Sequence, residues 1–288
     1  MHWTASLIAG QAHDMTHETN GSTSETTRQD LALLSAIVEV TRAAAARLRK
    51  VFTRGARPID RAEMFAAAKR NEAVALPSLR EALSDLRPQA GWVDHDNETK
   101  LLPPGEWWAV DAVEGNVNHI HGLSEWCVST TLVRDNTPVV AVVHQAIGDR
   151  TFTAVRGGGA QANGVHLRVS QKKALEAAIV ATGQAEMGQR NSYRRIGESI
   201  TVMLGHALLV QATVPSTFPM LHVAAGHSDV FWQYEPVLPG VAAGILLVTE
   251  AGGVATRVDG SPWQPGSPDI LVAAPGLHRA TVNLLAEI

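Results

Sequence analysis

Apolar positions recur every three to four residues between Thr27 and Phe52, with Ile37, Val38, Ala44, Ala45, Leu48 and Phe52 on one face. That spacing predicts an amphipathic helix with one buried stripe. A second helical pattern runs from Arg61 to about Leu86, and Pro77 lies inside it. Proline removes a backbone donor and crowds the preceding turn, so a break or kink is expected near Ala75-Leu76. From Trp107 the period changes. Trp108–Val110, Cys127–Val133, Pro138–His144 and Thr151–Val155 are β-branched runs divided by turn residues, which predicts strands. Asp135-Asn136 has the chemistry of a hairpin turn between two of them.

The remainder alternates. Ala178–Thr182, Ala207–Ala212, Val230–Trp232, Val254–Thr256 and Ile270–Ala273 read as strands. Helices are expected at Ser192–Leu204, around Met220–Ala225, at Pro239–Glu250 and from Gly276 to Ala286. The fold class is therefore α/β, with an α+β N-terminal half over 27–170 and an α/β C-terminal half over 171–288. Residues 1–26, rich in Ser, Thr, Asn and His, are expected to form a flexible leader.

Composition changes this picture little. The 288 residues are 45% hydrophobic and 18% charged, as in ordinary globular chains. A net charge of -4 gives no reason to expect nucleic acid or an anionic membrane as partner. No apolar run reaches the length of a membrane span and no signal peptide is read, so a cytoplasmic protein is expected. The single cysteine, Cys127, excludes an intramolecular disulfide and sits in an apolar run, as a buried inert thiol would.

The chemistry concentrates in Trp108-Ala109-Val110-Asp111-Ala112-Val113-Glu114-Gly115-Asn116. Two carboxylates stand three residues apart at the end of a strand-like run, followed by a Gly-Asn turn. Such a segment can hold a divalent cation on its carboxylates, with the Val113 carbonyl as a third oxygen. The amides of Gly115 and Asn116 could cradle an anion. The segment resembles the W-x-x-D-P-x-D-G-T signature of the inositol monophosphatase family. Further matches follow in family order: Gly157–Gly164, Ala181-Thr182-Gly183, Val223–Gly226 with Asp229 and Phe231-Trp232, and Val241–Gly244 continuing to Pro262. The resemblance implies a layered α-β-α-β-α sandwich, Mg²⁺-dependent hydrolysis of phosphomonoesters and a homodimer.

It also implies site residues, and several positions depart from it. The first metal-binding Asp is present as Asp111, and the second has become Glu114. The upstream Gly-Glu-Glu falls near Ala90-Gly91-Trp92, so that ligand is missing unless Asp94 or Asp96 replaces it. The last Asp aligns with Gly240. The water-activating pair corresponds to Asn116 and Glu72, and the substrate-binding Glu to Gln233. His121 matches a family position, whereas His119 stands where an aromatic is usual. For either histidine packing is the first reading and a ligand the second, and for Asp94-His95-Asp96 a polar loop comes before an acid/base group.

The resulting expectation is an enzyme of this family with an altered site. It does acid/base chemistry on a small polar metabolite through Asp111, Glu114, Glu72, Asn116 and His119. Gly115, Asn116, His121 and Gln233 contact the metabolite. Two alternatives stand beside it: a Mg²⁺-dependent phosphomonoesterase with compensated ligands, and a non-catalytic binding protein.

Overall fold

The computed structural model describes residues 18–55, 57–184 and 189–288. The expected leader lies outside the described residues up to position 17. Helix α1 spans Glu18–Val51, so it begins nine residues before the periodic pattern. A helix propagates cheaply once nucleated, and the docked stripe that starts at Asp30 supplies the nucleus.

Helix α2 spans Arg61–Leu86 without the expected break. Pro77 lies on its exposed face, as does Ala73, whose carbonyl loses its intrahelical donor to the proline. Water can satisfy that carbonyl, so the helix continues. The Asp60 carboxylate caps the start by accepting the Glu63 amide at 2.8 Å.

A seven-stranded sheet runs in sequence order: β1 (Gly91–Trp92), β2 (Glu106–Glu114), β3 (Cys127–Arg134), β4 (Thr137–Gln145), β5 (Arg150–Val155), β6 (Gly159–Ala162) and β7 (Val165–His166). Asp135 and Asn136 have φ of 47° and 63°, the left-handed pair of a two-residue hairpin turn. A five-stranded sheet has the order β11 (Val254–Thr256), β12 (Asp269–Ala273), β10 (Val230–Tyr234), β8 (Ile179–Gly183), β9 (Leu209–Thr213). The short strands β1, β6 and β7 and the one-turn helix α3 (Asn116–Ile120) carry no periodic signal of their own.

Five layers result. Helices α1 and α2 cover one face of the large sheet through Ile37, Ala44, Leu48, Leu79 and Leu83. Helices α5 (Thr217–Ala224) and α6 (Leu238–Glu250) fill the space between the sheets, and their largely apolar sequences are buried on nearly every side. A Cβ on Gly244 would stand 2.6 Å from Met220, so glycine permits the close α5–α6 approach. Helices α4 (Arg190–Leu204) and α7 (Pro275–Leu285) close the outer face of the second sheet. The sandwich is α-β-α-β-α, as the resemblance implied.

Candidate active site at the end of strand β2

Strand alternation places residues an odd number apart on opposite faces, so Asp111 and Glu114 should diverge. They do not. Asp111 pairs with Ser129 and Glu114 with Cys127, so three steps on β2 match two on β3. The extra residue is a β-bulge, and it reverses the parity. Ala112 and Val113 consequently both enter the core under α1 and α2. Asp111 and Glu114 share the face of Ala109, which packs on Leu238 and Ala242 of α6.

Glu114 is 4% exposed, and its Oε1 accepts the Thr217 amide at 3.4 Å. Burial pushes its carboxyl well above the usual carboxylate range. The Asp111 charge and a hydrogen bond shared with Asp111 push it further, while Thr217 opposes. Asp111 Oδ1 accepts the Val113 amide at 2.9 Å. The Thr217 hydroxyl donates to the Gly240 carbonyl at 3.2 Å, which brings the start of α6 to the same place. A Cβ at Gly240 would meet only Val237 Cγ2, at 3.6 Å. One residue before Thr217, the Ser216 hydroxyl donates to Gln233 Oε1 at 2.5 Å. Glu114, Thr217, Ser216 and Gln233 thus form a connected polar line. Neither Ser216 nor Thr217 was singled out by the sequence.

Beyond Gly115 the polarity changes character. Gly115 has φ of 81°, and a Cβ there would stand 2.6 Å from the Glu125 carbonyl, so glycine is required. Helix α3 follows for a single turn, too short to make its amides an anion site. Asn116 Oδ1 accepts from Asn71 Nδ2 at 2.8 Å, and its Nδ2 donates to the Ala68 carbonyl at 3.3 Å. The residue of α2 that meets Asn116 is Asn71, not Glu72, which points one helical step away and is exposed. Asn71 is 8% exposed, an asparagine buried on an otherwise apolar stripe.

His119 lies in the core, 4% exposed, between Phe52 and Trp126 with ring centroids at 5.3 and 4.7 Å. Its Nδ1 meets Asn71 Nδ2 at 3.0 Å and its Nε2 meets the Leu48 carbonyl at 3.2 Å. The neutral ring with its proton on Nε2 satisfies both contacts, and burial holds its pKa below the ordinary histidine value. His121 is spent on its own helix, with Nδ1 at 2.8 Å from the Val117 carbonyl. The Asp94-His95-Asp96 segment is a polar loop: Asp94 caps the Asp96 amide and His95 pairs with Glu98 at 3.2 Å. It does not join Asp111 and Glu114, since no group of three or more metal-capable side chains occurs among the described residues.

Two carboxylates fit one hard cation whose shell is completed by water or ligand oxygens, and they do not make a larger cage. Cys127, opposite Glu114 in the ladder, is buried, and its thiol is pushed well above its ordinary pKa by burial and then by the two carboxylates. It is inert, as its apolar surroundings predicted.

The layered sandwich, with an acidic pair at a strand end facing the start of two inner helices, has the architecture of the inositol-monophosphatase-like phosphatase superfamily. The profile of the inositol monophosphatase family matches residues 22–288, and the chain belongs to that family. It is 35% identical over 192 residues to the inositol-1-monophosphatase of Rhizobium meliloti (strain 1021), covering 66% of this chain and 72% of that one. It is 34% identical over 158 residues to the Nus factor SuhB of Pseudomonas aeruginosa, covering 54% and 57%. The solved inositol monophosphatase of Anabaena (Nostoc) sp. PCC 7120 superposes with a TM-score of 0.74 at 25% identity, over 91% of this chain and 97% of that one.

Proposed function

We propose that this protein is a divergent enzyme of the inositol monophosphatase family, in which Glu114 and Asp111 do acid/base chemistry on a small polar metabolite. The carrying observation is the bulge-aligned pair, with the Glu114 carboxyl held well above the usual carboxylate range by burial and by Asp111 beside it. Two carboxyl groups in unlike surroundings are the usual means by which one site supplies both an acid and a base. Glu114 is the proton donor, oriented by the Thr217 amide on Oε1. Asp111 is the acceptor, oriented by the Val113 amide. Gln233 accepts from Ser216, which leaves its amide N–H groups for a hydroxyl or phosphoryl oxygen of the metabolite.

Family-type water activation is not supported by the residues around Asn116. Its amide is tied to Asn71 and Ala68, and neither group can take a proton from water. Asn71, Asn116 and His119 are positioning residues in this reading, and Glu72 and His121 lie outside it. A second reading, a Mg²⁺-dependent phosphomonoesterase, is favoured by the two carboxylates sharing one face with open space at Gly240. Asp111 and Glu114 would hold a Mg²⁺, which would polarise a phosphoryl oxygen.

The test is turnover of phosphomonoesters and of non-phosphorylated polyols and sugars, each with Mg²⁺ and with chelator, for the wild type and Asp111→Asn. Turnover that survives chelation and vanishes in the variant supports the first reading. Phosphate release that requires Mg²⁺ supports the second. No turnover of any compound overturns both and leaves a binding role.

We further propose a homodimer. Among the described residues strand β9 pairs only with β8, and its edge is flanked by exposed Leu204, Leu208 and Leu209. An unpaired apolar edge favours a second strand. Light scattering should give twice the 30.7 kDa chain mass, and Leu208→Glu with Leu209→Lys should give the monomer.

A further inference from the structure

A second polar concavity lies on the far side of α5. It encloses about 330 Å³ between the start of β5, the β6–β7 hairpin and the turn after α5. Arg150, His166, Arg168 and His227 line it together with Asn163, and no carboxylate does.

What sets the two arginines apart is that they line one concavity with two histidines and no carboxylate. Arg42, Arg87, Arg134, Arg194 and Arg257 each pair with a carboxylate. Arg150 and Arg168 make no ion pair among the described residues, and the Arg150 guanidinium is instead held over the Phe152 ring at 5.0 Å. The local potential is felt nearby. His222, whose ring lies 6.3 Å from that of His227, is held below its ordinary pKa by burial, then by His227 and Arg150, with Glu125 opposing.

We propose that this concavity is an anion site that takes the phosphoryl group of a small molecule. Planar guanidinium forks match phosphate oxygens in bidentate fashion, and the imidazoles add donors. Ala162, Leu167 and Ala225 give it apolar walls, so a compact organic portion can accompany the phosphoryl group. The site is separate from the Asp111–Glu114 pair. It adjoins the C-terminal end of α5, whose first residue, Thr217, contacts Glu114, and eight residues of helix span about 12 Å.

Calorimetric titration of the full chain with inorganic phosphate, pyrophosphate and glucose 6-phosphate tests this. The expected result is saturable binding by the wild type and equally by Asp111→Asn, weakened about tenfold or more in Arg150→Gln/Arg168→Gln, since each charged hydrogen bond carries roughly that factor. Tighter binding of glucose 6-phosphate than of pyrophosphate would assign the walls to an organic portion, and the reverse order would assign the site to a free inorganic anion. Arg168→Gln alone, at an exposed position, keeps the result interpretable if the double variant melts early. Unaltered binding in the arginine variants, loss of binding in Asp111→Asn, or no binding by the wild type at millimolar anion overturns the proposal.

Discussion

The two faces of β2 carry buried polarity of opposite kinds. On the face toward α6, the Glu114 carboxyl is buried beside Asp111 and held well above the usual carboxylate range, and Thr217 offers one long amide contact. On the face toward α1 and α2, Asn71, Asn116 and His119 form a closed set in which Asn71 donates twice, Asn116 donates to Ala68 and His119 donates to Leu48. Burial costs the first group more than the second, because four hydrogen bonds offset it in the second. The contrast separates a face with polarity to spare for a ligand from one whose polarity is bound into the scaffold. Both lie within a few residues of Gly115.

The largest test of this division is Asp111→Asn. It removes the acceptor of the pair, so turnover of the responding metabolite should fall by roughly 10²- to 10⁴-fold. Unfolding in urea should show no loss of stability, since the asparagine oxygen can still accept the Val113 amide and a charge beside buried Glu114 is removed. A substantial stability loss with activity retained would reverse the roles of the two faces.

The mirror experiment is Asn71→Ala. It leaves Asn116 Oδ1 and His119 Nδ1 without their donor, at a cost of about 2 kcal/mol or more in unfolding free energy. Turnover per folded molecule should change less than in Asp111→Asn. If turnover instead collapses while stability holds, Asn71 belongs to the chemistry.

Most of the scaffold could be read from periodicity, since α4, α6, α7 and strands β2–β5 follow their apolar runs. Short elements could not, because β1, β6 and β7 have too few residues to show a period and are held by their neighbours. Motif residues proved legible as positions more than as roles. Asp229 is a fully buried hub that accepts from Ser170, Lys172 and the Ile179 amide, and it ties the β7–β8 segment to β10. The pairing of Asp111 with Glu114 depended on a bulge that strand alternation argues against. The sequence carried no distinctive signal of it, because Trp107-Trp108-Ala109-Val110 already runs apolar without alternation and the doublet Ala112-Val113 does not stand out. Asn71 was hidden for a different reason: counting along the chain selects Glu72, and only helix phase distinguishes the buried neighbour from the exposed one.

Gly240→Asp sharpens the carboxylate face. The open space around this position admits the side chain, and the Gly240 carbonyl is already bonded to Thr217, which contacts Glu114. A third carboxylate should raise Mn²⁺ affinity about tenfold, read from the free-ion signal in electron paramagnetic resonance titrations. Asp111→Asn in the same background should cancel the gain. Unchanged affinity would mean that Asp111 and Glu114 do not face the start of α6 closely enough to share a cation.

The smallest effect belongs to His119. Burial holds its folded pKa below the unfolded value near 6.5, so above that value both states are neutral and the histidine adds no pH dependence. As the pH falls below about 6.5, the unfolded chain binds a proton that the folded chain refuses, and stability drops until the folded ring also protonates. The loss is about 1.4 kcal/mol for each unit that separates the two values. His144, His222 and His278, also lowered by burial, contribute in the same direction. The measurement is therefore a difference: unfolding free energies at pH 7.5 and 5.5 for wild type and His119→Gln, in which glutamine keeps a donor and an acceptor but cannot titrate. The variant should lose less stability on acidification than the wild type. An identical acid loss in both would show that the imidazole protonates freely in the folded state, and the closed network between α1, α2 and α3 would not be closed.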